Sequence, residues 1–150
     1  MQQQRVRAYP LENTFSIVFI WVNTQKTAVL MALSMELSKP VLRLLLTLYL
    51  NGRMEESRAL RLSGIRSRGL IDRLVASGLL TVEYHNGVRK LRLNDSLLKR
   101  MSGALKVILA KSDRTLITRR SEVIVPTDDL VHTIYLGLVA SRTMRTAHSS

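Results

Sequence analysis

Arg58, Arg61, Arg66, Arg68 and Arg73 follow one another closely in this chain, and Arg89, Lys90 and Arg92 come shortly after them. A guanidinium stays protonated at any ordinary pH, so it neither gives nor takes a proton; its chemistry is the holding of phosphate and other polyanions. The side chains suited to proton transfer or metal binding are sparse by comparison. His85, His132 and His148 share no metal-ligand spacing. Asp128, Asp129 and His132 fall within about one helical turn, the ordinary composition of a helix start. No cysteine is present, which excludes disulfides, thiolate metal sites and thiol nucleophiles. A glycine-rich phosphate loop, a nucleophile elbow and a carboxylate pair in an apolar setting are all missing from the sequence. The chain is expected not to be an enzyme and to need no metal or cofactor.

The charge balance points the same way. Of 150 residues, 23 are Lys or Arg and 11 are Asp or Glu, a formal charge of +12. A field of that sign gains affinity and association rate on a polyphosphate and little on a neutral metabolite. The apolar run from Phe15 to Val22 is far shorter than the roughly 20 residues that span a bilayer, so no membrane association is expected. It also follows Glu12 and Asn13, which suits a secretory signal poorly. The expected location is the cytoplasm.

Positioning the arginines requires a scaffold, and its elements can be read from Ser38 onward. Pro40 stands in a first helical turn, and an apolar helix runs from there to Leu50, ending at Asn51-Gly52. Because it is apolar nearly all round, it belongs at the centre of the fold. A short helix over about Glu55 to Leu62 has its two glutamates at the positive end of the dipole, and Ser63-Gly64 makes a turn. The next helix, about Arg66 to Ser77, carries Leu70, Ile71, Leu74 and Val75 on one stripe, which leaves Arg66, Ser67, Arg68, Gly69, Asp72 and Arg73 on the other face. Gly78 closes it. Asn86-Gly87 predicts a two-residue type I′ hairpin with His85 opposite Val88, hence Tyr84 with Arg89, Glu83 with Lys90, Val82 with Leu91 and Leu80 with Leu93.

Asn94-Asp95-Ser96 caps a helix over about Ser96 to Ala110. Residues Thr115 to Ile117 and Glu122 to Val125 are predicted as short strands joined through Arg119-Arg120, and Thr127 or Asp128 caps a last helix over about Asp129 to Ser141. Ahead of Ser38 the patterning is weaker. Gln2 to Gln4 open the chain, residues 15 to 22 read as a β-like run, and Thr27 to Leu37 reads as a helix. Two readings stay open there: the segment belongs to the fold, or the natural domain opens at Met35 and the residues before it pack poorly.

The order helix, short helix, Ser-Gly turn, helix, Gly-Leu, hairpin, helix resembles the winged helix-turn-helix DNA-binding domains of prokaryotic transcriptional regulators, broadly the MarR, PadR and ArsR types. Leu62-Ser63-Gly64-Ile65 at the turn, Leu70-Ile71 and Leu74 in the third helix, Ser77-Gly78-Leu79-Leu80 after it and Asn86-Gly87 at the tip carry the resemblance. It implies a mainly α fold with a small β-hairpin wing, an α+β class with extra terminal helices. The domains would be an N-terminal extension (1–35), the winged helix-turn-helix (36–110), a C-terminal strand and helix extension (111–141) and a loose tail (142–150). The partner it implies is double-stranded DNA, bound sequence-specifically by a transcriptional regulator. Arg66, Ser67, Arg68 and Arg73 would then face the major groove, His85, Asn86, Arg89 and Lys90 would reach the backbone or the minor groove, and Arg58 and Arg61 would sit over phosphates.

The apolar stripes of the helices at 96–110 and 129–141 exceed what such a small domain needs, so a homodimer is expected; the alternative is that they pack back within one subunit. Two other functions compete. A winged helix can serve as a protein-interaction or assembly module, although an arginine-rich recognition face suits that poorly. A non-specific architectural nucleic-acid-binding protein would need only the charge, while single-stranded RNA lacks an aromatic stacking platform here.

Overall fold

The computed structural model describes the backbone of residues 14–23, 28–111 and 116–149. It is mostly helical with two small antiparallel sheets, an α+β architecture. In chain order the elements are α1 (14–23), α2 (Ala28–Met35), α3 (Lys39–Asn51), β1 (Met54–Glu55), α4 (Glu56–Ser63), α5 (Arg68–Ala76), β2 (Leu80–His85), β3 (Val88–Leu93), α6 (Asp95–Lys111), β4 (Ile117–Arg120), β5 (Val123–Pro126) and α7 (Asp128–Ser149). Gln2 to Gln4, Glu12, Asn13, Thr27 and Thr115 lie outside the described residues, as does the side chain of His148.

α3 is the centre of the molecule. Ser38 caps it through a bond from the Val41 amide at 3.3 Å, and Pro40 occupies its first turn, where no N–H is needed. Seven successive or near-successive residues, Val41, Leu42 and Leu44 to Leu48, are buried. One side of α3 meets α4 and the sheet; the other meets β5 and α7. Gly52 ends the helix at φ +82°, a backbone conformation that suits a residue without Cβ.

The first sheet has the order β1-β3-β2. The hairpin register agrees with the sequence prediction at every pair, from His85 opposite Val88 to Leu80 opposite Leu93. Asn86 and Gly87 both take positive φ, +52° and +78°, as a type I′ turn requires. β1 adds a short edge, with Met54 opposite Leu91 and Glu55 opposite Lys90, that the sequence did not disclose. Met54, Leu91, Leu80, Leu93, Ile71 and Leu74 make the core on the helix side of this sheet.

Three elements differ from expectation. Residues 14–23 form a helix rather than a strand, burying Val18 against Gly137 of α7 and Val22 one turn further on. Together with Leu30 and Leu33 of α2 they join the central core, so the described part of the N-terminal segment packs rather than hangs loose. The second sheet pairs Ile117 with Pro126 and Arg120 with Val123, so Arg119 and Arg120 are strand residues and the turn is Ser121-Glu122, with Ser121 at φ +58°. Finally, α7 is helical through to Ser149, past Arg142 where the sequence was read as a loose tail.

Most of the apolar stripes of α6 and α7 is covered within the chain, while Leu98 of α6 and Leu136 of α7 stay exposed. Leu97, Met101, Leu105 and Ile108 of α6 and Leu130, Val131, Ile134 and Leu138 of α7 are all buried. Gly137 lets α1 approach α7 so closely that an added Cβ would lie 3.0 Å from Val18 Cγ1, and the Ser141 hydroxyl donates to Asn23 Oδ1 at 3.0 Å beside it. No described helix is long and apolar enough to cross a membrane.

Candidate nucleic-acid interface

α5 is presented by its buried side. Ile71 and Leu74 are fully buried and Leu70 and Val75 partly so, which fixes the rotation of the helix and leaves Arg68, Gly69, Asp72 and Arg73 exposed, as the apolar stripe predicts; the helix starts at Arg68 rather than Arg66, so the exposed Arg66 and Ser67 lie in the turn and cap before it. Ser67 stands at the N-cap position with extended backbone and no side-chain cap bond. A Cβ on Gly69 would meet only Ser67 Oγ, at 3.4 Å, so glycine leaves this end of the helix open to close approach by a ligand.

Behind that face runs an ionic chain that the sequence did not disclose. Glu56, at the start of α4, is buried, and its carboxylate lies 2.5 Å from Arg89 Nε and 4.0 Å from Arg68 Nε. Arg89 also lies 3.6 Å from Asp72 and donates to the Tyr84 hydroxyl at 3.4 Å. Its guanidinium is held above the ordinary arginine range, first by the hydrogen bond to Glu56 and next by that to Tyr84. Arg89 is therefore committed to tying β3 to α4 and α5. Arg73 is drawn aside to Glu36, 3.5 Å away, while Arg68 remains largely exposed, with 82% of its side chain accessible.

Lys90 falls on the opposite face of the sheet from Arg89, since successive strand residues alternate. On that outer face Glu83 lies 3.2 Å from Arg92 and 3.4 Å from Arg53. Partial burial pushes the Glu83 carboxyl up, but the hydrogen bonds and charges of Arg92 and Arg53 outweigh it and hold the group below its ordinary value of 4.5. Arg53 also donates to His85 Nε2 at 2.8 Å. His85 is thus an internal partner, and the hairpin's free tip consists of Asn86, Gly87 and the exposed Val88, while the exposed Tyr84 ring keeps its hydroxyl bonded to Arg89.

The candidate residues consequently divide. Arg66, Ser67 and Arg68, with Arg73 at one margin, share the α5 face. Arg58 and Arg61 stand three apart on α4 and so on one side of it, Arg58 half-buried and Arg61 exposed. Arg58 and Lys90 meet Arg53 in a separate open cleft of about 370 Å³. Its far wall is the β4–β5 ribbon, whose exposed Arg119 and Arg120 the sequence placed in a connection. A basic pair immediately before a turn was the available signal. No three His, Asp or Glu groups among the described residues are placed to hold a metal. No family model matches this chain, and none of the curated proteins or solved structures matches it either.

Proposed function

We propose that the protein is a sequence-specific double-stranded DNA-binding protein of the winged helix-turn-helix type, acting as a transcriptional regulator. The observation that carries this reading is the α5 face: Arg68 projects from the first turn of a helix whose opposite side is locked into the core, with Arg66 exposed in the turn just before its Ser67 cap, beside a hairpin with a free Asn86-Gly87 tip. Such a helix fits a major groove, where arginine reads guanine O6 and N7 bidentately. The strand order β1-β3-β2, with α4 and α5 between the first two strands, supports the same assignment.

A two-fold dimer reading a palindrome belongs to this proposal. Since most of the stripes of α6 and α7 is covered within one chain, the faces left for it include exposed Ile20, Met31 and Met35 of α1 and α2 and the exposed Leu98 and Leu136 of α6 and α7. A protein-interaction module is the second reading, and the 67% exposure of Tyr84 at the hairpin favours it.

Selection from a randomised duplex pool at two salt concentrations tests the proposal. Enrichment of a motif that survives the higher salt is expected. Uniform binding that collapses with salt would reduce the protein to an electrostatic coat, and no binding would leave the protein-partner reading.

A further inference from the structure

The β4–β5 ribbon is held more firmly than a surface hairpin needs for its own sake. The Asn51 side-chain amide bonds it like an extra ladder rung, donating to Ile124 O at 2.7 Å and accepting from Ile124 N at 3.0 Å. The amide and hydroxyl of Thr127 both donate to Leu116 O and close its base. Val123 and Val125 are buried. What this anchored arm presents is two adjacent arginines, Arg119 and Arg120, both exposed and neither within ion-pair distance of an acid among the described residues. Arg120 pairs with Val123, which lines the cleft, so it stands on the cleft side of the ribbon; Arg119 stands on the other. Arg53, Arg58 and Lys90 line the cleft itself, together with the acidic Glu55 and Glu122.

A guanidinium binds phosphate through two parallel hydrogen bonds, and the anchored ribbon backbone leaves only the side chains to be ordered when it does so. The ribbon, Ile117 to Pro126, contains no aromatic residue on which an unpaired base could stack. We infer that the β4–β5 ribbon is a second nucleic-acid-binding arm: Arg120, on the side of the cleft that Arg58 and Lys90 line, and Arg119, on the ribbon's other face, hold sugar–phosphate backbone of a duplex outside the segment that α5 reads. This inference rests on the DNA-binding reading above. It accounts for basic residues that α5 and the hairpin leave unused.

The test measures binding of the full chain to two duplexes centred on the selected motif, one of about 30 base pairs and one of about 15, over a range of salt. The Arg119→Gln/Arg120→Gln variant, altered only at exposed positions and checked for native circular dichroism, should bind the longer duplex with a salt slope shallower by about 1.8, or 0.9 for each lost phosphate contact. On the shorter duplex it should match the unaltered protein. An unchanged slope on the longer duplex overturns the ribbon arm, and so does an equal loss on both lengths. The Arg66→Gln/Arg68→Gln variant separates the two ideas: if it keeps full sequence preference, the α5 reading fails whatever the ribbon does. No duplex binding by the unaltered protein overturns both.

Discussion

The Nε of Arg89 lies 2.5 Å from the buried carboxylate of Glu56, thirty-three residues away in the chain, and this pair joins the returning strand of the hairpin to the first turn of α4. Removing Arg89 leaves that carboxylate buried without its principal partner. Arg89→Ala is expected to lower stability by about 2–3 kcal/mol, toward the low end for broken buried pairs because Arg89 is partly solvated. Glu56→Gln should cost less, since a neutral amide tolerates burial better. Urea unfolding of the two variants checks the order.

Asn51→Ala removes both bonds to Ile124 and the one to Thr47 O. Leaving half-buried backbone groups without partners costs about 1–3 kcal/mol. Amide exchange at Ile124 should accelerate more than exchange within β2 and β3, because the second sheet loses its anchor while the first keeps its own.

Two helical glycines should respond oppositely. Gly103→Ala places a Cβ in open space and should stabilise by about 0.5–1 kcal/mol through helix propensity. Gly137→Ala drives a Cβ into Val18, and overpacking of about 1–3 kcal/mol outweighs the same gain. Adding Val18→Ala should recover part of the loss, which a double-mutant cycle by thermal unfolding measures directly.

The depressed Glu83 carboxyl predicts an acid limb. With a folded value below 4.5, this group binds fewer protons folded than unfolded, so its contribution is present above 4.5 and lost as pH falls through the folded value. The stability difference between the unaltered protein and Glu83→Gln should therefore narrow as pH drops below 4.5. A constant gap in pH-dependent unfolding would contradict it.

On the DNA-binding reading, Arg68→Ala should relax discrimination at one base pair by about 1–3 kcal/mol. Arg73→Ala should do less, because Glu36 holds that guanidinium aside. Competition with duplexes mismatched at single positions separates the two.

The hairpin was legible because Asn86-Gly87 fixes both turn and register, and one correct pair determines the rest. α5 was legible because its apolar stripe has only one period. Residues 15 to 22 failed for the opposite reason: Phe, Ile, Val and Trp are almost continuous there, so periods of 2 and 3.6 both fit, and β propensity favoured the wrong one. The i, i+4, i+8 spacing of buried Thr14, Val18 and Val22 became decisive only once α7 was in place beside them. The turn at Ser121-Glu122 had no glycine or asparagine to announce its positive φ. At the candidate site the exposure of Arg68 and Arg73 followed from local periodicity, whereas the commitment of Arg89 and His85 to internal partners depends on contacts across 33 and 32 residues.

Asn51 ends α3 and grips β5, while Gly52 beside it turns the chain into the first sheet. Both ribbons therefore hang from the same end of one post, seven of whose thirteen residues are buried. If both arms meet a duplex, they form a calliper with a fixed jaw width. Flexing the protein to suit the helix would strain the Asn51 anchorage, so part of the fit would fall on the helix, through bending or a change of groove width. Sites rich in easily deformed pyrimidine–purine steps would then be favoured even at positions no side chain touches.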